Sequence, residues 1–100
     1  PTDARQVLGK LGNLEREMGE FEASLQHFEQ SLVLQAQVGD VMNGWCNRID
    51  RDRTLVRLGR YEEAENSLLE VVASCRQRKA LLYEAIATET LADGPAPLRR

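Results

Sequence analysis

Hydrophobic residues recur along this chain at steps of three and four positions, in runs separated by glycine or by polar residues. The first run is the most regular and contains Ala4, Val7, Leu8, Leu11, Leu14 and Met18. Such spacing places the apolar side chains on one face of an α-helix. The strict alternation of a half-buried strand occurs nowhere in the sequence. The pattern predicts an all-α chain of five helices, over about residues 3–18, 21–38, 41–58, 61–77 and 79–92.

Glycine marks most of the predicted helix ends. Gly19, Gly39 and Gly59 each follow an apolar run, where glycine can take the left-handed conformation that closes a helix. No strong helix breaker precedes the fifth helix, so its start near Lys79 depends on hydrophobic spacing alone. The sequence Asp-Gly-Pro-Ala-Pro at 93–97 cannot continue a helix. We therefore expect a repeat domain over residues 1–92 and a disordered tail over residues 93–100.

One short block occurs twice, forty residues apart. Gly19-Glu20-Phe21-Glu22-Ala23-Ser24 is repeated as Gly59-Arg60-Tyr61-Glu62-Glu63-Ala64. Each copy joins a turn glycine to an aromatic residue and a small residue that permits close helix contact. Each predicted helix pair also has an apolar stripe too wide for its own partner to cover, and stacking of the next pair would cover it. The chain is thus expected to be an antiparallel helix-pair solenoid of about two and a half repeats.

The residues of the first pair resemble a tetratricopeptide repeat. The resemblance is carried by Leu8-x2-Leu11-Gly12, then Gly19-x-Phe21, then Ser24-x3-Phe28-x2-Ser31-Leu32. The second pair is similar in its second helix but has Arg51 and Asp52 where the family has Leu-Gly. Its spacing of forty also exceeds the usual repeat of roughly 34 residues, and resembles the longer repeats of cell-polarity scaffolds and some bacterial regulators. The resemblance implies a right-handed solenoid.

The resemblance also implies a binding groove, lined by the first helix of each pair. Carried over position by position, the groove residues are Gln6, Asn13, Arg16, Glu17, Cys46, Ile49, Arg53, Val56, Arg57, Ile86 and Glu89. The carboxylate clamp of chaperone-binding members would need a lysine in place of Gly9 and an asparagine in place of Asp50. Only Asn13 agrees with that clamp, so binding of chaperone C-termini in this mode is not expected.

The third predicted helix contains an unusual run, Arg48-Ile49-Asp50-Arg51-Asp52-Arg53, with five charges in six residues. One interpretation is a solvated face with short-range ion pairs. The other is that Arg53 and Arg57 form a basic patch for an acidic segment of a partner. Arg51 and Asp52 occupy positions that are packed in the family. They are either buried as a pair, which is costly, or this helix is rotated or splayed, and we favour the rotation.

Composition excludes several classes of function. The chain has 100 residues and a net charge of −3, which argues against nucleic acid or an anionic membrane surface as a partner. The longest apolar clusters are too short to span a membrane. Two cysteines and one histidine offer no metal or catalytic constellation. We expect no cofactor, no enzymatic activity and a reducing, cytoplasmic setting. His27 is expected to face solvent, Trp45 and Cys75 to lie in the core, and Cys46 in the groove.

These features predict a protein–protein interaction module that binds a peptide or helix of a partner through the groove or an end face. The alternative is a sensor or regulatory domain of a larger signalling or transcription-regulating protein. An enzyme would require chemistry from residues that the sequence does not group together. Because independent stability needs roughly three repeats, we also expect homo-oligomers, formed through apolar surface left exposed at Trp45 or the fifth helix.

Overall fold

The computed structural model describes residues 3–39 and 41–99, and every side chain in those ranges except those of residues 41–43. It contains five α-helices and one short 3-10 helix. The helices are α1 (Ala4–Glu17), α2 (Phe21–Val38), α3 (Val41–Arg57), α4 (Tyr61–Gln77) and α5 (Leu81–Asp93), followed by η1 (Ala96–Leu98). No strand occurs in the described part of the chain. The all-α helical repeat class is therefore confirmed.

The repeated block closes α1 and α3 with the same turn. Gly19 and Gly59 have φ angles of 83° and 79°, in the left-handed region. The amide of Gly19 donates to the Arg16 carbonyl at 3.1 Å, and the amide of Glu20 donates to the Glu15 carbonyl at 2.8 Å. This pair of bonds is a Schellman motif, which satisfies carbonyls that the helix end would leave without donors. The next helix of the pair begins two residues after each glycine.

The turn before α5 has the same geometry without a glycine. Lys79 has a φ of 56°, and its amide donates to the Arg76 carbonyl at 3.2 Å. The amide of Ala80 donates to the Cys75 carbonyl at 2.8 Å, which completes the motif. As a result α5 begins at Leu81, later than the predicted start at 79. A left-handed residue thus recurs every twenty positions, at 19, 39, 59 and 79.

Close contact within the first helix pair depends on small residues. The Phe28 ring is fully buried against Gly12, where an added Cβ would lie 2.8 Å from the nearest ring carbon. The hydroxyl of Ser24 donates to the Gly12 carbonyl at 2.6 Å. In the second pair, Ala64 and Leu68 occupy the positions of Ser24 and Phe28, and both are fully buried. The block therefore places a small residue where the two helices approach most closely.

The core continues from one pair to the next, as a stacked solenoid requires. Its main cluster joins α3, α4 and α5 and consists of Trp45, Ile49, Leu68, Val71, Val72, Cys75 and Ala87. A second cluster links α2 to the second pair and consists of Leu25, Leu55 and Ala64. Trp45 thus lies in the core and offers no exposed surface for self-association. Along the chain, α3 packs against each of the other four α-helices.

The tail differs from the expectation of disorder over residues 93–100. Leu98 is fully buried, and η1 packs against α4 and α5. Gly94 permits this return, because an added Cβ there would lie 2.4 Å from the Leu98 side chain. Arg99 holds the turn by donating from its Nε to the Gly94 carbonyl at 2.7 Å. Proline and glycine end α5 as predicted, but the residues after them pack against the stack. Arg100 lies outside the described residues.

Candidate partner-binding groove

The first helices of the successive pairs, α1, α3 and α5, share one face of the molecule, and this face carries three adjacent cavities. The largest, about 390 Å³, is the arginine cavity, lined by Arg16, Glu17, Arg53, Val56, Arg57, Thr90, Asp93 and Gly94. The central cavity, about 350 Å³, includes Cys46, Ile49, Arg53, Ile86 and Glu89 in its wall. The N-terminal cavity, about 370 Å³, includes Gln6, Gly9, Cys46 and Asn47. We call this face the groove.

Every groove residue carried over from the resemblance lines one of these cavities except Asn13. Asn13 instead donates from its Nδ2 to Asp50 Oδ2 at 3.3 Å. The neighbouring Arg16 donates to the Asp50 carbonyl at 3.0 Å. These bonds join α1 to α3, so Asn13 holds together two of the helices that form the groove. Ile49 is only 2% exposed and belongs mainly to the core, so it forms the floor of the central cavity and offers little contact surface.

The arginine cavity combines fixed and available cationic groups. Arg53 is held between Asp50, at 3.2 Å, and the Thr90 hydroxyl, to which it donates at 3.3 Å. Arg57 lies over the Phe21 ring, with its guanidinium carbon 5.3 Å from the ring centroid. This cation–π contact orients the group without neutralising it. Arg57 is exposed and has no ion-pair partner within residues 3–39 and 41–99.

A family model described as tetratricopeptide repeat matches residues 5–38 and 53–78. The chain belongs to the tetratricopeptide repeat family. Comparison with curated proteins and with solved structures returned no match. Tetratricopeptide repeats generally mediate protein–protein interaction and are typically non-enzymatic scaffolds. Among the described helices, none is long and apolar enough to cross a membrane.

The second tetratricopeptide match begins only at residue 53, after most of the charged run. The structure shows Asp52 fully buried and Arg51 mostly buried beside it, so the pair is packed, which is the alternative that we did not favour. Asp52 is fully buried, and its Oδ1 accepts from Arg51 at 3.1 Å. Arg51 is held on the other side by α4, where it donates to the Ser67 hydroxyl at 2.8 Å, and it lies 3.6 Å from Glu29 on α2. The Arg51 guanidinium thus joins α3 to both α2 and α4.

Burial dominates the electrostatics of this pair. It raises the pKa of Asp52 from 3.8 to about 6, against the opposing effects of the Ser67 hydroxyl and the guanidinium groups of Arg51 and Arg48. The second carboxylate oxygen, Oδ2, has no hydrogen-bond partner among the described residues. The pair lies against α2 and α4, where α3 meets its neighbours, and lines none of the three groove cavities. It therefore acts on the packing of the tetratricopeptide repeats, and its own side chains are not groove contacts.

In the N-terminal cavity, Gly9 lies where the clamp of chaperone-binding tetratricopeptide proteins would need a lysine. An added Cβ at Gly9 would lie 3.0 Å from Asn47 Oδ1, so a lysine there would displace the Asn47 side chain. Asn47 donates to the Ser31 hydroxyl at 2.6 Å, and Ser31 donates to the Arg5 carbonyl at 3.0 Å. This network joins α3, α2 and α1. Sequence reasoning missed Asn47, although it falls at the position of Val7 in the forty-residue register.

The histidine and the two cysteines are each buried or half-buried. His27 was expected to face solvent, but it is half-buried and its Nδ1 lies 2.5 Å from Glu15 Oε1, joining α2 to α1. Cys75 is buried, and burial raises the pKa of its thiol, which disfavours the nucleophilic thiolate. Cys46 is half-buried in the groove wall. No group of His, Cys, Asp and Glu able to hold a metal ion occurs among the described residues.

Proposed function

We propose that this chain is an interaction module that holds a segment of a partner protein in the groove, with acidic side chains of that segment in the arginine cavity. The observation that carries this proposal is the state of Arg57. Its guanidinium is oriented by Phe21, exposed at the cavity and left without an ion pair in the described structure. An arginine that is already oriented loses less side-chain entropy when it binds a carboxylate.

The chemistry of the cavity suits a carboxylate beside an apolar side chain. Guanidinium groups form bidentate hydrogen bonds with carboxylates, which are stronger than bonds between neutral groups. Val56 supplies an apolar wall between Arg53 and Arg57. Glu17 and Asp93 line the rim and would repel a partner whose carboxylates approach from the wrong side. The expected ligand is therefore a peptide segment with one or two acidic residues next to an aliphatic one.

Selection from random peptides tests this function without requiring that the partner be identified. A library of displayed peptides of about twelve residues, long enough to span a cleft of this kind, would be selected against the whole chain. Enriched peptides would be synthesised with a fluorescent label and titrated by anisotropy. We expect acidic residues to be enriched and binding to weaken as salt increases. Enrichment of peptides without acidic residues would contradict the proposed specificity.

Charge reversal locates the binding site. Arg57→Glu should weaken binding of an enriched peptide by about tenfold or more, because it removes a charge-assisted hydrogen bond and adds a repulsion. Adding Arg53→Glu should weaken binding further. Arg78→Glu is the matched control, since Arg78 is also exposed but lines none of the three groove cavities. The proposal is wrong if the double variant binds the peptide as tightly as the unchanged chain.

A further inference from the structure

The outer face of α1 carries an apolar stripe that no described part of the chain covers. Its members are Val7, Leu11, Leu14 and Met18, which are 40%, 39%, 53% and 62% exposed. Two other faces of α1 are occupied by neighbouring helices. Gly12 contacts Phe28 on α2, and Arg16 binds Asp50 on α3. The stripe is therefore a third face of the helix, and a row of large apolar side chains at this exposure marks an interaction surface.

The repeat itself shows that this face is one on which a helix packs. Forty residues later the same positions are Asn47, Arg51, Thr54 and Leu58, and each contacts α2 or the core cluster that α2 shares with the second pair. The Asn47 amide donates to the Ser31 hydroxyl at 2.6 Å, and the hydroxyls of Thr54 and Ser24 are 3.1 Å apart. Arg51 reaches Glu29, and Leu58 packs on the cluster that contains Leu25. In the second pair this face is covered, and in the first pair it is uncovered and fully apolar.

The spacing of the stripe is that of a coiled-coil seam. Val7, Leu11, Leu14 and Met18 follow steps of four, three and four residues, so they alternate between the d and a positions of a heptad. A two-fold axis midway between Leu11 and Leu14 places Leu11 opposite Leu14 of the second copy. The same axis places Val7 opposite Met18 of the second copy. Large side chains thus meet at every layer of an antiparallel pair of α1 helices.

The charged residues beside the seam also favour an antiparallel pair of α1 helices. Lys10 and Glu17 flank the seam one heptad apart, at the g position. In the antiparallel pair, Lys10 of each copy lies opposite Glu17 of the other, which forms two ion pairs. Both residues are exposed, and neither has an ion-pair partner among the residues that the structure describes. A parallel pair would instead place lysine against lysine and glutamate against glutamate.

We propose that α1 is a self-association surface on which α1 of a second copy packs antiparallel, with Leu11 and Leu14 at the centre and Lys10 paired with Glu17. The surface differs from Trp45 and α5, where the sequence predicted self-association. The apolar stripe lines none of the groove cavities, so Leu14→Glu tests this surface without changing the groove, whereas Lys10 and Glu17 each line one of the cavities.

Molar mass in solution tests the surface. Light scattering after size exclusion and sedimentation equilibrium would be recorded from about 1 to about 200 µM, since dimer formation depends on concentration. The chain should pass from monomer to dimer over this range. Leu14→Glu should raise the dissociation constant at least about tenfold. Val33→Glu, at a valine that is 58% exposed on α2, is the matched control and should leave it unchanged. A monomer at every concentration, or a dimer unaffected by Leu14→Glu, overturns the proposal.

Charge reversals at Lys10 and Glu17 test the antiparallel orientation of the two α1 helices. Lys10→Glu and Glu17→Lys should each weaken the homodimer, because each replaces both attractions with repulsions. A mixture of the two variants should form a heterodimer, in which both attractions are restored. Unequal isotope labelling with native mass spectrometry separates the three dimers. Homodimers that persist in both variants, or variants that fail to form a heterodimer, overturn the antiparallel arrangement. Circular dichroism of each variant checks that it is folded.

Discussion

Burial of the Asp52 carboxylate costs solvation free energy, and the hydrogen bonds and charges of its neighbours offset this only in part. Its carboxylate is fully buried and accepts from Arg51, yet one oxygen has no partner in the described structure. Burial raises the pKa of Asp52 to about 6, so loss of solvation outweighs the attraction of the nearby guanidinium groups. The pair thus joins α3 to α4 through Ser67 and to α2 through Glu29, at some cost in stability.

This raised pKa predicts the direction of a pH dependence. In the unfolded chain the carboxyl of Asp52 loses its proton near its ordinary pKa of 3.8, and in the folded chain only near 6. Between these values the folded state binds more protons, so the contribution of Asp52 to the free energy of unfolding falls as pH rises from about 4 to about 6. Arg5 lowers the pKa of Asp3 to about 2, so Asp3 affects the free energy of unfolding only below about pH 4.

Asp52→Asn should remove this dependence. It should also raise the free energy of unfolding at pH 7.5 by about 1–2 kcal/mol, since the amide has no charge to bury and its oxygen can still accept from Arg51. Urea denaturation at several pH values measures both effects. Asp93→Asn is the control, because Asp93 is exposed, and it should leave both the stability and its pH dependence unchanged. A less stable Asp52→Asn variant would mean that the ion pair, and not the burial cost, dominates.

At the scale of the helices, the turn geometry is the same across the repeats even where the residue type is not. Residues 19, 39, 59 and 79 are all left-handed, and only the last is not glycine. A side chain in this conformation costs about 1–2 kcal/mol. The turn at Lys79 forms nonetheless, because Leu68, Val71, Val72 and Cys75 on α4 pack in one core cluster with Ala87 on α5. Packing thus positions α5 against the local preference of its own turn.

Lys79→Gly should therefore stabilise the chain. We expect an increase of about 0.5–1 kcal/mol in the free energy of unfolding, the relief of left-handed strain less the extra entropy of glycine in the unfolded chain. Arg78→Gly is the control, because Arg78 has a φ of −96° and gains nothing from glycine. Thermal and urea denaturation of both variants measure the difference. Equal effects of the two substitutions would show that the left-handed conformation of Lys79 carries no strain.

At the scale of the whole molecule, the two ends of the stack are finished differently. At the C-terminal side, η1 turns back and buries Leu98 against α4 and α5. At the other side, α1 presents its apolar stripe without a described neighbour. About two and a half repeats lie near the lower limit for a stable solenoid. A second copy packed on α1 would bury the apolar stripe, as η1 buries Leu98 at the other side.

Leu98→Ala tests the closure by η1. It should lower the free energy of unfolding by about 2–4 kcal/mol, the usual cost of removing a buried leucine side chain. The loss should appear first as weaker hydrogen-exchange protection in α5, which η1 contacts. Leu82→Ala is the matched control, since Leu82 is 70% exposed on α5, and it should change stability by less than about 0.5 kcal/mol. A chain insensitive to both substitutions would show that η1 does not hold α5.

The sequence predicted which residues line the candidate groove better than it predicted which of them are free to bind a ligand. Matching the repeated block to the family placed Gln6, Arg53 and Arg57 on one face, because helix periodicity and the forty-residue register are both visible in a single sequence. The structure then separated residues that position the groove, such as Asn13, from residues exposed within it, such as Arg57. That distinction depends on Asp50, Thr90 and Phe21, which come from three helices.

The sequence by itself determined the five helices, most of their ends and the stacking register. These features depend on interactions between residues one to four positions apart, or on a motif that repeats along the chain. Only the tertiary structure decided which charged and apolar residues are buried. Arg51 and Asp52 are buried because α2 and α4 close around α3. Leu98 is buried because the chain turns back after α5, and the α1 stripe stays exposed because no described helix lies beside it. Burial is set by neighbours distant in sequence, which local periodicity does not specify.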